Sequence, residues 1–466
     1  MKIKFIGAAR EVTGSKHLIT LESGKKILLD CGMFQGKGME TDYSNRNLGF
    51  DPREIDHIIL THAHIDHSGL IPYVYKLGFR GSVICTNATR DLCAIMLADS
   101  GHIQELDIKW YNKKLEKHGE EPIEPIYTVE DAKASMELFI SVAYNRKFYI
   151  DSNVKVRFTN NGHLLGAGTA LIEITENGKT TKLAYTGDIG RPSSKILRKP
   201  AAFAQCDYLI TESTYGNRLH EHIEHADDKL LQVVIDTCVR KGGKLIIPSF
   251  AIGRTQDIVF TLNNFFNAGV LPKIQIFVDS PLAVNATTIF RMHSECFNPD
   301  VMHVIEHDND PFGFNSLHYI TSTQDSKNLN KFKKPCIIIS ASGMMEAGRI
   351  KHHLANNISN PRNTILVVGY CAPRTLGARI VAGEKTVSIF GNKYSVNAEI
   401  ARIEAFSGHG DYREMISFLS CQNPDAIRKI FLVHGDFETQ TFYKNQLEAA
   451  GFGNIEIPEA MSEVTI

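Results

Sequence analysis

Short apolar runs separated by glycine and polar turn residues dominate the first ninety positions. Lys2 to Ile6, His17 to Leu21, Lys26 to Asp30, His57 to Leu60 and Ser82 to Thr86 each have the length and apolar content of a strand. Ser68 to Leu77 has helical spacing and is stopped by Gly78. Residues 87–145 read as mostly helical, with a charged insert around Lys113 to Glu121, and strands return at Val154 to Phe158, Ala170 to Ile174 and Lys182 to Thr186. Near residue 225 the rhythm changes. Helices at Asp227 to Lys241 and Arg254 to Ala268 alternate with apolar strands at Lys244 to Ile247, Ile274 to Val278, Cys336 to Ile339 and Thr364 to Val368, the pattern of a parallel sheet wrapped by helices. The last sixty residues return to short strands and one helix, with a strand at Lys429 to Val433.

At 466 residues the chain is long for one core, so two or three domains are expected. A formal net charge of −1 neither demands nor excludes a nucleic-acid partner; the local distribution decides. Residues 325–402 carry twelve Lys and Arg against four Asp and Glu, a local excess of +8 that suits a polyanion. No apolar run approaches the roughly 18 residues needed to cross a bilayer, and the opening strand is too short for a signal-peptide core. The nine cysteines are scattered, with no Cys-x-x-Cys pair, and read as reduced thiols of a cytoplasmic protein.

The densest chemistry lies in Thr61-His62-Ala63-His64-Ile65-Asp66-His67, directly behind the apolar Ile58-Ile59-Leu60. Three imidazoles and a carboxylate at one strand end suit a borderline divalent metal, zinc above all. Further donors follow other predicted strands: His163 in Asn161-Gly162-His163, Asp188 in Thr186-Gly187-Asp188, and His434 in Val433-His434-Gly435. Glycine beside each lets the backbone turn sharply and aim the side chain. So many donors exceed one coordination sphere and point to two adjacent metals, hence to hydrolysis. His220, His222 and His225 follow no strand end and read as a solvated helix start.

In this order the residues resemble the metallo-β-lactamase superfamily: Asp30, then His-x-His-x-Asp-His, then His163 and Asp188. Glu212 in Thr211-Glu212-Ser213-Thr214-Tyr215-Gly216, His409 in Ser407-Gly408-His409-Gly410-Asp411, and His434 resemble its β-CASP branch of nucleic-acid nucleases, which includes the catalytic subunit of the pre-mRNA 3′-end cleavage factor. The resemblance runs from Gly7 to His434 and implies an α/β fold: an αββα sandwich formed by residues 1–214 and 404–466, with a β-CASP domain of helix-flanked parallel sheet inserted at 215–403. It implies two Zn2+, one held by His62, His64 and His163 and the other by Asp66, His67 and His434, with Asp188 bridging and Asp30 orienting a ligand imidazole from behind. The implied reaction is hydrolysis of RNA phosphodiester bonds, endo- or 5′–3′ exonucleolytic, by a hydroxide shared between the metals. Asp66 would orient that nucleophile, and His409, supported by Glu212, would protonate the leaving oxygen.

The resemblance also implies a substrate wall built from the inserted domain. Ser249, Gly253, Arg254 and Thr255 end a strand and open a helix whose free backbone amides would suit a phosphate. Ser340, Ser342, Gly343 and Met344 share that strand-to-turn context, and Arg374 stands where relatives commonly carry a small residue. The implied partner is single-stranded RNA, with no membrane and with room for a homodimer. The length leaves no space for an added RNA-binding domain, so the likeness is to a compact catalytic core. The rival readings are a DNA nuclease of the same branch, a small-molecule hydrolase, and a non-catalytic RNA-binding scaffold. His434, where DNA-repair members tend to have valine, favours RNA. The inserted domain argues against a small-molecule hydrolase, and the complete donor set against a silent scaffold.

Overall fold

The computed structural model describes all residues except 37–38, 221–225, 309, 370, 373 and 404–407. Its contacts divide the chain into two compact units, residues 1–219 with 409–466, and residues 220–408.

The first unit contains two seven-stranded sheets. In one, Lys26–Leu29, His57–Ile59, Ser82–Thr86 and Phe139–Val142 run parallel, while Lys2–Gly7 and Lys16–Thr20 extend the sheet antiparallel towards Ser462–Thr465. In the other, Lys179–Tyr185, Tyr208–Thr211 and Lys429–Leu432 are parallel neighbours, flanked by the antiparallel Gly168–Glu176 and Val154–Asn160. Period-two alternation explains how the sheets stack. Ala170, Ile172, Leu183, Tyr185, Ile210 and Phe431 join Ile3, Phe5, Ile19, Ile27 and Ile59 in one core between the sheets. Their neighbours Leu171, Ala184, Leu209, Ile430 and Leu432 face the other way, against helices Tyr412–Leu419 and Phe437–Ala449. Asn87–Lys117 packs on the outer face of the first sheet. This is the expected αββα order.

The second unit is a six-stranded, all-parallel sheet in the spatial order Leu317–Ile320, Gln275–Asp279, Cys336–Ser340, Lys244–Pro248, Thr364–Val367, Glu399–Arg402. Its central strands are continuously apolar because helices cover both faces. A separate hairpin, Thr386–Ile389 with Asn392–Ser395, lies on the same core.

Four local expectations need correction. Residues 87–145 are mostly helical as expected, but their end is not: Phe139–Val142 is an edge strand paired with Ser82–Thr86, a tertiary contact that overrides a weak local pattern. Ser68 to Leu77 is interrupted, since Ile65–Ser68 and Ile71–Lys76 are separate short helices. The segment after residue 225 is α-helical only over Ala226–Val234 and continues as a π-helix, Ile235–Arg240. The tail holds two helices, and the first opens on a capping box formed by Asp411 and Glu414. His222 and His225 lie outside the described residues, as do Tyr370, Pro373 and Ser407.

Candidate metal centre

Strand direction delivers the donors to one edge. Lys179–Tyr185, Tyr208–Thr211 and Lys429–Leu432 are parallel, and Val154–Asn160 is antiparallel to the strand between it and Lys179–Tyr185. Their C-terminal ends therefore share a side, and Asp188, Glu212, His434 and His163 each follow one of them. In the facing sheet, Asp30 follows Lys26–Leu29 and the histidine string follows the parallel His57–Ile59. The turns differ in how they reach this geometry. Gly162 and Gly187 take positive φ beside their donors, whereas at Asp30 (φ 55°) and His434 (φ 57°) the functional residue is itself left-handed.

Donor atoms of two groups converge here: His62, His64, His163 and Asp188 in one, Asp66, His67 and His434 in the other. In the first, His62 Nε2 and His163 Nε2 each lie 3.1 Å from His64 Nδ1 and 3.4 Å from Asp188 Oδ2. In the second, His67 Nε2 is 3.1 Å from His434 Nε2, which is 3.4 Å from Asp66 Oδ2. Asp188 Oδ1 lies between the groups, 3.2 Å from His67 Nε2 and 3.7 Å from His434 Nε2. Donors about 2.0–2.1 Å from a tetrahedral zinc sit about 3.3 Å from one another, which matches these separations.

The far sides of the His62, His67 and His434 rings fix which nitrogen faces inward. Thr61 Oγ1 donates to Asp30 Oδ2 (2.8 Å), so at 3.1 Å it can only accept from His62 Nδ1. His67 Nδ1 donates to Asp30 Oδ2 at 2.7 Å. Thr214 Oγ1 donates to the His434 carbonyl and accepts from His434 Nδ1 at 2.8 Å. Each Nε2 thus turns a lone pair towards its neighbours. Asp188 Oδ1 is buried among them with no hydrogen-bond partner. Lone pairs and a bare carboxylate oxygen at these distances repel unless a cation sits among them, so the residues fit a metal.

The electrostatics agree. Burial pushes His62 and His163 below the ordinary imidazole value and His64 down to about 3, leaving neutral rings with available lone pairs. Burial would raise Asp188, but His434, His67 and His62 outweigh it and keep the carboxyl ionised. Burial would likewise lower His67, yet Asp188 and Asp30 hold it above its usual range, a sign that the cluster calls for positive charge.

Beside the donors, His409 Nδ1 lies 3.1 Å from Glu212 Oε2. Glu212 is fully buried and accepts from the amides of Ile189 and Thr214, so its oxygens are spent on hydrogen bonds. Burial works against a charged His409, but Glu212 and Asp188 prevail and raise it to about 9. Most of the cluster is sealed. The His409 and Asp66 side chains keep 21% and 19% of their surface and mark the open side.

Ser249, Gly253, Arg254, Thr255, Ser340, Ser342, Gly343 and Met344 lie in the second unit, at the C-terminal ends of the adjacent strands Lys244–Pro248 and Cys336–Ser340. Ser249, Arg254 and Gly343 line one shallow depression with Phe250, Val368 and Gly369. The amides of Arg254 and Thr255 are not free as expected: they bond to the carbonyls of Ile252 and Phe250, and the Arg254 guanidinium pairs with Asp257. Exposed Arg374 is left-handed (φ 72°), and the same turn joins the Met344 carbonyl through the Gly377 amide. Sequence reasoning missed Thr61, Thr214 and Tyr185, whose phenol donates to Asp30 at 2.8 Å. Thr61 heads the heptad, and that adjacency was the available signal.

Comparison with known proteins accords with this architecture. Residues 13–122 match the metallo-beta-lactamase superfamily, residues 255–380 the Beta-Casp domain, and residues 393–458 the Zn-dependent metallo-hydrolase RNA specificity domain. The chain is 33% identical over 438 residues to Ribonuclease TTHA0252 of Thermus thermophilus, covering 94% of each chain. It is 32% identical to the transcription termination factor FttA of Methanocaldococcus jannaschii, over 94% of this chain and 67% of that one. With the cleavage and polyadenylation specificity factor 73 of Drosophila melanogaster it shares 29% over 94% of this chain and 60% of that one. The chain belongs to the β-CASP branch of the metallo-β-lactamase superfamily.

Proposed function

We propose that this protein is a zinc-dependent ribonuclease hydrolysing phosphodiester bonds of single-stranded RNA. The observation that carries the reading is the Asp188 carboxylate, buried with one unbonded oxygen among inward-facing imidazole lone pairs, beside the His409–Glu212 pair. His62, His64 and His163 would hold one Zn2+, Asp66, His67 and His434 the other, with Asp188 shared. Bound zinc supplies Lewis-acid neutralisation of phosphate oxygens and activation of water near neutral pH.

The remaining roles belong to the chain. Asp30 and Thr61 hold His67 and His62 in the tautomers that face inward. Asp66, partly open to solvent, orients the attacking water. Glu212 commits His409 Nδ1, so Nε2 delivers the proton to the departing ribose oxygen, and the neighbouring carboxylates keep that proton in place at neutral pH. In the second unit, Ser249, Gly253, Thr255, Ser340, Ser342, Gly343, Met344 and the cations of Arg254 and Arg374 contact the strand. The +8 excess over residues 325–402 supports a polyanionic substrate, as do the names of the relatives. Nine scattered cysteines with no Cys-x-x-Cys pair suit a cytoplasmic setting. No helix among the described residues is long and apolar enough to cross a membrane.

The test combines metal analysis with cleavage of end-labelled single-stranded RNA and DNA. Two zinc ions per chain and faster loss of RNA than of DNA are expected. Two bound zincs with no cleavage of RNA would overturn the proposal, and products mapped from 5′- and 3′-labelled RNA distinguish internal from terminal attack.

A further inference from the structure

The hairpin in the second unit carries an aromatic residue where turn chemistry disfavours one. Ile389 pairs with Asn392, leaving Phe390-Gly391 as a two-residue loop with φ of 52° and 80°. Positive φ at both positions is the type I′ turn, which prefers Asn-Gly, and a bulky side chain there is an outlier. Burial does not compensate: Val387 and Ile389 anchor the hairpin at 1% exposure each, whereas Phe390 remains 51% exposed.

A lysine and a histidine lie against its ring. Lys351 Nζ sits 5.1 Å from the ring centroid and the exposed His352 ring 4.6 Å away at 33°. Lys351 has no ion-pair partner among the described residues. The place is also specific. Lys351 and His352 lie in the first turn of Ile350–Asn357, which begins where the turn after Ser340 ends, with the Ile350 amide bonded to the Ala341 carbonyl. The base of the hairpin meets the far end of that helix, through the Asn397 amide and the Ile358 carbonyl. The tip therefore stands at the same end of the unit as Ser342 and Gly343.

From this geometry we infer that Phe390, Lys351 and His352 form a nucleobase-stacking subsite for single-stranded RNA, extending the track proposed at the 340–344 turn and resting on the ribonuclease reading. An aromatic face accepts any base and the Lys351 ammonium takes a phosphate, so the subsite adds affinity without sequence preference.

The test is Phe390→Asn in the metal-loaded full chain, binding a labelled single-stranded phosphorothioate RNA. Asn-Gly suits the turn, so the unfolding temperature should rise while RNA affinity falls about 5- to 100-fold; Phe390→Trp should retain affinity. Unchanged affinity in Phe390→Asn would overturn the subsite while leaving the ribonuclease reading intact. A fall in both stability and affinity would assign the ring to packing, and a changed oligomeric state with unchanged affinity would assign it to contact between copies; either overturns the proposal. If the unaltered protein neither binds nor cleaves RNA, both readings fall together.

Discussion

Asp30→Asn probes the layer behind the metal donors with little change of shape. Asp30 is fully buried and accepts four hydrogen bonds: Thr61 N–H on Oδ1, and Thr61 Oγ1, His67 Nδ1 and the Tyr185 phenol on Oδ2, all at 2.7–2.8 Å. Asparagine has one accepting oxygen. Its best placement keeps the three bonds at the Oδ2 position and turns the amide NH2 towards the Thr61 amide, donor against donor. One buried donor left unpaired costs about 1–3 kcal/mol, and exchanging a charged for a neutral acceptor at His67 about 1 kcal/mol more. The sum, about 2–4 kcal/mol, leaves a folded protein, since domains have about 5–15 kcal/mol in hand. Asn tolerates the left-handed backbone at this position, so no strain is added. Urea unfolding of metal-free protein reads the stability term, and competition with a chromophoric chelator reads zinc affinity, expected to fall about 10- to 100-fold. Excess zinc should then restore part of the cleavage rate. Unchanged stability and unchanged zinc affinity would refute the idea that Asp30 aims His67.

His409→Ala should retain metal while cleavage slows about 10²- to 10⁴-fold, measured by single-turnover kinetics; full activity would remove His409 from the mechanism. In Glu212→Gln the alkaline fall in rate should move to lower pH, because the acid is lost as pH rises through a pKa that Glu212 no longer supports. Buried Lys16 is held at about 8 by loss of hydration, against 10.5 in the unfolded chain. Between those values the unfolded chain binds more protons, so stability relative to Lys16→Met should rise by roughly 3 kcal/mol from pH 8 to 10.5 and stay flat below pH 8, as followed by urea unfolding. Chelation of bound metal should lower the unfolding temperature in calorimetry, because lone pairs and Asp188 then face one another unscreened.

How far a residue could be read in advance depended on whether its partners are local. The heptad was legible because strand end, spacing and donor type sit within seven positions. Most strands of the first unit followed from runs whose apolar content survives in isolation, whereas their αββα order came only with the family resemblance. Phe139–Val142 was not legible, because only Ser82–Thr86 makes it a strand. Tyr185 has no spacing signal at all; its role arises from a phenol that reaches Asp30 from 155 positions away. The left-handed turn at His434 was hidden for a different reason, since the glycine next to it suggested that Gly435 would take the strain. The second unit was legible in its alternation of helix and strand. Its turn chemistry was less so, because the Arg254 and Thr255 amides are consumed by carbonyls within their own turn.

The sheet that carries Asp188 and Glu212 also takes in Lys429–Leu432, which pairs with Tyr208–Thr211 although a long unit intervenes in sequence. That interruption imposes an order of events during synthesis. The ribosome releases His62 to Glu212 first, then works through residues 220–408, at about 5–20 residues per second a delay of roughly ten to forty seconds, before His409 and His434 emerge. Throughout that interval the nascent chain has the heptad, His163, Asp188 and Glu212 but neither His409 nor His434. The donor set proposed above is thus complete only once Lys429–Leu432 has paired with Tyr208–Thr211.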